Sequence, residues 1–140
     1  MFDSDASPRE VLTRFQQTAI DKSLTDMMEL FAADAVLEFP FTRPGIPSRM
    51  DGRAEIADFM RANWDNSPLS YTAYRDVTVH DTGDPEVIVV EQYAVGVSTA
   101  TGADFRLPNI AVITVRDGRI VHFRDYVNVL AAAEAAGHRL

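Results

Sequence analysis

Apolar residues recur at three- and four-residue intervals in the first part of the chain, and they alternate with polar residues in most of the remainder. Between positions 11 and 20 the spacing is helical, and Ser7-Pro8-Arg9-Glu10 before it has the form of a capping box with proline at the first helical position. We therefore expect a helix that begins at residue 8 and buries one face. That face contains Val11, Leu12, Phe15, Ala19 and Ile20.

Two further helices are predicted in the first half of the chain. The segment Ser23-Leu24-Thr25-Asp26 repeats the start signal and predicts a short second helix that extends to Phe31. Helical spacing returns after Asp51-Gly52, which predicts a third helix. One face of the third helix carries Ile56, Phe59, Met60, Asn63 and Trp64.

The segment between the second and third helices predicts one strand and one long loop. Alternating apolar residues from Val36 to Phe41 predict the strand, and Pro40 marks it as an edge or bulged strand because proline cannot donate to a ladder. Residues 42–49 contain two prolines and a glycine. Loops of this kind often line or cover a site, and a plain surface connection is the alternative.

The pattern of the second half of the chain predicts four consecutive strands. Strands are predicted at 70–80, 86–97, 103–115 and 119–127. Asp117-Gly118 between the last two is the strongest short hairpin signal, so these two strands should be antiparallel neighbours. Residues 130–136 predict a short alanine-rich helix or tail. The predicted helices come first in the chain and an antiparallel meander of strands follows them. This order predicts an α+β fold with the helices on one face of the sheet.

One acid, Asp125, stands among apolar residues in the last predicted strand. By strand alternation Val121, Phe123, Asp125 and Val127 point one way, and Ile120 with the other even-numbered residues points the other way. Burial among apolar side chains raises the pKa of a carboxyl group, which is how a proton-transfer group is tuned toward neutral pH. The alternative is a solvated aspartate, or one paired with an arginine, at a strand end.

Two neutral polar residues are predicted to share the cavity with Asp125. Antiparallel pairing can set the amide of Asn109 near that carboxyl, where it can orient the acid or bind a substrate carbonyl. Gln92 falls on the same face of its strand as Ile88, Val90 and Ala94. Apolar walls are predicted from Tyr74, Trp64, Phe39, Phe41, Met60 and Phe123, each of which has ordinary core packing as its alternative.

Length and composition narrow the class of protein. The chain has 140 residues, 46% hydrophobic and 24% charged, which suits a single globular domain over residues 1–140 with its core at about 8–130. A net charge of −8 argues against a nucleic-acid partner. No apolar run is long enough to span a membrane, so no membrane partner is expected. Without cysteines or a recognisable export signal, a cytoplasmic location is the expectation.

No cofactor or metal is expected at the site. His80, His122 and His138 show no ligand spacing with one another or with the acids. The glycines are single residues in turns or strands, so no phosphate-binding loop is present. His122 also has the opposite strand parity to Asp125, which disfavours a His-Asp dyad. The expected site is therefore cofactor-free.

These elements and two short motifs together resemble the nuclear transport factor 2-like superfamily. The motifs are Leu30-Phe31-Ala32-Ala33-Asp34-Ala35-Val36 at the first helix-to-strand junction, and Asp117-Gly118-Arg119-Ile120 before Arg124-Asp125-Tyr126. Within the superfamily the chain is most similar to the SnoaL-like group, across residues 8–130. The resemblance implies a cone-shaped, strongly curved sheet wrapped around about three helices, as in a cystatin-like α+β barrel. It also implies an apolar pocket for a small bulky metabolite, and a homodimer formed through the outer face of the sheet.

The resemblance does not carry over two known activities of the superfamily. Phe15 and Phe39 stand where the ketosteroid isomerases have a tyrosine and an aspartate base, and neither can transfer a proton. In limonene epoxide hydrolase an arginine and an aspartate combine with the closing aspartate, and here Gln92 and Ala94 replace the first two. Only Asp125 matches a position that these relatives use for catalysis.

The phenazine-biosynthesis subunits of the superfamily offer a closer match. Counterparts of their motif residues here are Asp84-Pro85, Glu91, Asn109, Asp125 and Asn128. Asp125 replaces the glutamate that those enzymes use in acid/base catalysis, and Arg75 replaces a histidine. The similarity therefore implies related acid/base chemistry and not the phenazine reaction itself.

Two functions from different classes remain open. In the first, the chain is a small acid/base enzyme of the isomerase, cyclase or dehydratase type, with Asp125 moving the proton while Asn109 and Gln92 polarise the substrate. In the second, the chain is a binding domain of the same shape without catalysis, and Asp125 is a structural acid paired with an arginine such as Arg106.

Overall fold

The computed structural model describes residues 2–138 of the chain. Helices and strands follow one another as in the predicted α+β class. The elements in chain order are α1 (Pro8–Asp21), α2 (Leu24–Glu29), β1 (Phe31–Glu38), β2 (Arg49–Asp51), α3 (Arg53–Asn66), β3 (Leu69–Asp81), β4 (Val87–Ser98), β5 (Asp104–Arg116), β6 (Arg119–Val127) and α4 (Val129–Ala135).

Helix α1 begins at the predicted capping box. The Ser7 hydroxyl accepts a hydrogen bond from the Glu10 amide at 3.2 Å, and the Glu10 carboxylate accepts one from the Ser7 amide at 3.2 Å. The prediction for α2 was wrong at its end, because this helix stops at Glu29 and Phe31 already belongs to β1. The backbone of Phe31 pairs with Ile120 of β6, so a long-range strand contact overrides local helical spacing.

The six strands form one mixed sheet in the order β2-β1-β6-β5-β4-β3. The β1–β6 pair is parallel, and the other neighbouring pairs are antiparallel. The sheet is curled and stays open between β2 and β3. The first strand was predicted to be an edge or bulged strand. It is not an edge, since β1 lies between β2 and β6, but its pairing with β6 is irregular between Phe31 and Val36. Pro40 is compatible with this position because β1 ends at Glu38, before the proline.

The hairpin between β5 and β6 forms as predicted. Asp117 and Gly118 have φ angles of +52° and +75°, as expected of a type I′ turn. A bulge then changes the alternation, because Val115 pairs with Ile120 while Thr114 pairs with His122, which leaves Val121 as an extra residue. Ile120 is consequently 0% exposed and belongs to the core. The prediction from strict alternation, that Ile120 lies on the face opposite Phe123 and Asp125, was therefore wrong.

The helices cover the concave face of the curled sheet. Helix α1 packs against β3, β4 and β5, α3 packs against β1 and β2, and α4 packs against β5. Within residues 2–138 no helix has the length and apolar character needed to cross a membrane. The largest fully buried side chains are those of Phe31, Met27, Leu37, Ile56, Ile113 and Ile120.

Candidate functional site

A cavity of about 240 Å³ lies between the helices and the concave face of the sheet. Its lining is mainly apolar, with a small number of polar side chains, which is the usual character of small-molecule sites. The apolar lining residues are Phe15, Ala19, Met27, Phe39, Phe41, Ile46, Phe59, Met60, Trp64, Leu69, Ala94, Leu107, Pro108, Phe123, Val127, Val129 and Ala132. The polar lining residues are Arg43, Asn63, Ser67, Tyr71, Tyr74, Gln92, Asn109, Asp125 and Asn128.

Strand β6 carries Asp125 into this cavity. Asp125 pairs across the sheet with Ala111, whose small side chain leaves room for the carboxyl group. Asn109 pairs with Val127, two residues further along β6, so its side chain is the diagonal neighbour of Asp125. The Asn109 amide donates a hydrogen bond from Nδ2 to Oδ1 of Asp125 at 2.8 Å. The amide and the acid therefore meet as the strand alternation predicted.

Burial changes the acidity of Asp125. The carboxyl group lines the cavity and is largely surrounded by protein, and this desolvation raises its pKa from 3.8 to about 6. The hydrogen bond from Asn109 favours the ionised form and lowers the pKa, which offsets part of the effect. The result is a group that changes its charge near neutral pH.

Asp125 has no ion-pair partner within the part of the chain that the structure describes. Arg106, the arginine expected to pair with it in the structural alternative, instead binds Asp76 at 2.5 Å. Arg106 also lies over the ring of Tyr93 at 3.7 Å, on the outer face of the sheet. The expectation that Arg106 pairs with Asp125 was wrong, because the two side chains lie on opposite faces of the sheet.

Gln92 provides a second polar group that faces the cavity. Its side chain is 7% exposed, and its strand position is directly opposite Asn109. The Gln92 carbonyl oxygen accepts a hydrogen bond from Gln16 Nε2 at 2.6 Å. This contact fixes the amide plane, and the Gln92 NH₂ group has no hydrogen-bond partner within residues 2–138.

The other predicted wall residues also surround this cavity. Phe39 packs against Phe59 with ring centroids 5.4 Å apart, and Phe123 packs against Phe15 at 4.9 Å. Phe41 lies at the rim, where it is 60% exposed. All nine residues predicted for the site thus line one cavity, and their roles in binding or catalysis stay predictions. They are Asp125, Asn109, Gln92, Tyr74, Trp64, Phe39, Phe41, Met60 and Phe123.

A second bulge brings an unpredicted tyrosine into the site. Tyr71 pairs with Gly96 and Ala73 pairs with Val95, so Thr72 is an extra residue in β3. Tyr71 and Tyr74 consequently both line the cavity, with ring centroids 6.1 Å apart. Strict alternation would place them on opposite faces, which is why only Tyr74 was predicted from the sequence.

An unpredicted contact to the site comes from Gln16 in α1, and unpredicted lining residues come from the loop after β1. Gln16 lies four residues after Leu12 and three before Ala19, so it is a polar residue on the apolar face of α1. That position was the sequence signal that could have indicated a polar contact in the interior. Arg43 and Ile46 belong to the proline-rich loop and line the cavity. The loop therefore borders the cavity, which was one of the two expectations for it.

His80 and His122 pair with glutamates and not with Asp125. His80 contacts Glu91 at 2.6 Å, and His122 contacts Glu38, in both cases away from the cavity. Within the described residues no group of three or more histidine, aspartate or glutamate side chains is arranged to hold a metal ion. Among the described residues that line the cavity, Asp125 is the acidic residue and Arg43 the basic one.

The curled sheet and its enclosed helices define the nuclear transport factor 2-like, ketosteroid isomerase-like class of fold. Within that class the chain belongs to the SnoaL-like domain family, whose profile matches residues 12–123. This assignment confirms the resemblance recognised from the two sequence motifs.

Relatives in two bacteria cover most of the chain. The uncharacterised protein YesE of Bacillus subtilis is 35% identical over 128 residues, which are 91% of this chain and 86% of YesE. An uncharacterised PhzA/B-like protein of Pseudomonas aeruginosa is 36% identical over 109 residues, which are 78% of this chain and 75% of that protein.

Solved structures show the same fold. A crystal structure of a candidate isomerase from Bacillus subtilis has 32% sequence identity and a TM-score of 0.85, covering 94% of both chains. The structure of TerC, co-crystallised with polyporic acid, has 17% identity and a TM-score of 0.71, covering 92% of this chain and 97% of TerC. At that identity the likeness to TerC concerns the fold alone.

Proposed function

We propose that this chain is a cofactor-free acid/base enzyme of the isomerase, cyclase or dehydratase type, acting on a small, bulky, apolar metabolite. The observation that carries the proposal is the carboxyl group of Asp125, which lies in an apolar cavity with Asn109 as its hydrogen-bond partner. A carboxyl group whose pKa is near 6 is mostly ionised at pH 7 and can accept a proton. The protonated carboxyl group can then return that proton to the substrate, because an acid with a pKa near 6 still donates readily.

Asn109 and Gln92 have supporting roles in this proposal. The Asn109 amide holds Asp125 in one orientation, so that a free oxygen of the carboxyl group faces the cavity. The Gln92 NH₂ group is available to polarise a substrate oxygen, and Gln16 fixes its direction. Preorganised neutral donors of this kind stabilise charge that develops on a substrate oxygen during proton transfer.

The second candidate is a binding domain of the same shape that does not catalyse a reaction. The specific observation in its favour is that no histidine, lysine or second carboxylate lines the cavity in residues 2–138. An enzyme with one proton carrier can take a proton from one position of the substrate and return it to another, or exchange it with water. TerC shows that a protein of this fold can be co-crystallised with an organic acid, which is compatible with either candidate.

Hydrogen–deuterium exchange separates the two candidates. A panel of cyclic and aromatic ketones is incubated with the protein in D₂O, and deuterium uptake next to the carbonyl is followed by mass spectrometry. The enzyme proposal expects catalysed uptake for at least one ketone, lost in Asp125→Asn and retained in Asp104→Asn, a control at the exposed start of β5. Ketones that bind without any Asp125-dependent uptake would instead support the binding domain.

We also propose a homodimer formed through the outer face of the sheet. Residues on this face include Tyr93, Ile110 and Tyr126, which surround a shallow groove. Ile110 is 44% exposed, unusually high for an isoleucine in a central strand. A second copy of the chain would cover these apolar side chains, as proteins rarely leave contiguous apolar patches in water.

A further inference from the structure

The outer face of the sheet has an apolar centre on its middle strands. Ala111 of β5 is 0% exposed on the concave side, so its chain neighbours Ile110 and Val112 point outward. Val112 pairs across the strands with Val89 of β4, which therefore points outward too. This centre is suited to contact with another apolar surface, because proteins rarely leave such side chains grouped in water.

Polar residues of opposite character flank this centre on its two sides. Ile110 pairs with Glu91 of β4 on one side and with Tyr126 of β6 on the other. Arg124 lies two residues before Tyr126 on the same face and donates a hydrogen bond to its hydroxyl oxygen. Glu91 contacts His80, and its side chain is 54% exposed. One side of the centre thus carries an acid, and the other carries a guanidinium group and a phenol.

The charge of Arg124 is not paired with a carboxylate in the described part of the chain. Its neighbour across the strands is Glu38 of β1, but that carboxylate contacts His122 and Arg49 instead. The hydrogen bond to Tyr126 occupies one donor of the Arg124 guanidinium, which has five. A carboxylate from another molecule could therefore bind the remaining donors.

The curl of the sheet restricts how two outer faces can meet. The sheet curls across its strands, so its outer face is convex in that direction and straightest along the strands. Two such faces make their longest contact when their strands are aligned, and sheets packed face to face commonly keep their strand directions within about 30°. Two orientations of a second copy satisfy this condition, with the two-fold axis either along β5 or across the strands.

The charges distinguish these two orientations. An axis along β5 turns the β4 side of one copy onto the β6 side of the other, so Glu91 faces Arg124 and Tyr126 of the second copy. An axis across the strands turns the β4 side onto the β4 side of the second copy and brings the two Glu91 carboxylates together. Like charges in an interface repel each other, so the axis along β5 is favoured.

We infer that two copies of the chain meet about an axis along β5, and that Glu91 of each copy binds Arg124 and the Tyr126 hydroxyl of the other. This inference rests on the proposed homodimer and adds to it the orientation of the two copies and the ion pair that fixes it. Ile110 then packs against Ile110 of the second copy. In a two-fold interface every contact between different residues occurs twice, so the dimer contains two of these ion pairs.

Charge reversal tests this arrangement in the full chain. Glu91→Arg and Arg124→Glu each turn both attractive contacts into repulsive ones. Each should raise the dissociation constant of the dimer by about 100-fold in sedimentation velocity. The double variant exchanges the two charges, and its dissociation constant should return to within about tenfold of the wild-type value.

Matched controls make the same changes of charge away from the outer face. Asp65→Arg and Arg61→Glu are at exposed positions of α3 and should leave the dissociation constant unchanged. Glu91→Gln and Arg124→Gln remove one charge without reversing it and should weaken the dimer by about tenfold. They provide the test if a charge reversal prevents folding.

Mixing the two charge-reversal variants shows whether the contact joins two molecules. One variant has two arginines at these positions and the other has two glutamates, so both contacts are attractive only in the heterodimer. Native mass spectrometry resolves the three possible dimers by mass and should show mainly the heterodimer. Its formation also shows that both variants are folded.

The possible results separate this inference from the proposals on which it rests. A wild-type dimer that neither reversal weakens, or a double variant as weak as the single ones, would overturn the ion pair and leave the homodimer in place. Equal weakening by the α3 controls would also overturn it. A monomeric wild type at micromolar concentration would refute the homodimer and the ion pair together. None of these results changes the expected deuterium uptake at Asp125, which tests the acid/base enzyme separately.

Discussion

At the scale of single residues, the behaviour of Asp125 depends on what surrounds its carboxyl group. Desolvation disfavours the ionised form, and the hydrogen bond from Asn109 favours it. Desolvation is the larger of the two effects, so the folded protein binds a proton at Asp125 more tightly than the unfolded chain does. This difference links the protonation of Asp125 to folding stability.

The first prediction concerns Asp125→Asn and pH. The folded pKa of about 6 lies above the ordinary value of 3.8, so wild-type stability should fall as pH rises from about 4 to 7. Asparagine resembles the protonated acid and does not titrate. We expect the variant to be more stable than the wild type by about 1–3 kcal/mol at pH 7, with little difference at pH 3.5.

Urea unfolding of both proteins at several pH values measures this difference. A variant that is less stable than the wild type at pH 7 would mean that ionised Asp125 stabilises the fold, as a paired carboxylate does. The same experiment on Asp104→Asn, at an exposed position, should show no comparable dependence on pH.

The second prediction concerns Asn109. Replacing it with leucine removes the donor that stabilises ionised Asp125, so the pKa of Asp125 should rise above about 6. A hydrogen bond to a charged group is worth about 1–3 kcal/mol, which sets the scale of the change. NMR titration of the Asp125 carboxyl measures it. Asn63→Leu at the exposed end of the cavity is the control, and an equal effect there would argue against a specific contact.

At the scale of elements, the β5–β6 hairpin positions Asp125. Gly118 has a φ of +75°, and a Cβ atom at this position would lie 2.0 Å from the carbonyl oxygen of Asp3. We therefore expect Gly118→Ala to destabilise the fold by about 1–3 kcal/mol. Gly83→Ala is the matched control, because a Cβ atom there meets no atom within 4 Å and the backbone is not left-handed. Equal thermal stability of the two variants would contradict this role of Gly118.

The sequence contained enough information for most elements but not for the irregularities within them. The capping box at Ser7 and the turn at Asp117-Gly118 have local chemical causes, so the helix start and the hairpin could be predicted. The end of α2 could not, because the pairing of Phe31 with Ile120 joins residues far apart in the chain. The bulges at Thr72 and Val121 also leave no clear mark on the apolar pattern.

The same distinction applies to the site. Asn109 and Asp125 could be brought together from strand parity because their part of the hairpin is regular. Tyr71 was missed because a single extra residue reverses the direction of its side chain. Gln16 was missed because its contact with Gln92 depends on how α1 crosses the sheet, which no local pattern determines.

At the scale of the whole molecule, the outer face of the sheet leads to a prediction about assembly. If two copies meet there, Ile110→Glu would place a charge in the interface and should convert a dimer to a monomer at micromolar concentration. Thr13→Glu adds the same charge at an exposed position of α1 and should leave the dimer intact. Light scattering measures the molar mass in solution, and a wild type that is monomeric at this concentration would refute the proposed dimer.

The most direct test of the central claim is the pKa of Asp125 itself. The ¹³C shift of its carboxyl group, assigned by its absence in Asp125→Asn, is followed by NMR across the pH range of folded protein. The proposed acid/base role predicts a midpoint of about 6. A midpoint at the ordinary value of 3.8 would show a well-solvated carboxylate and contradict the proposed role.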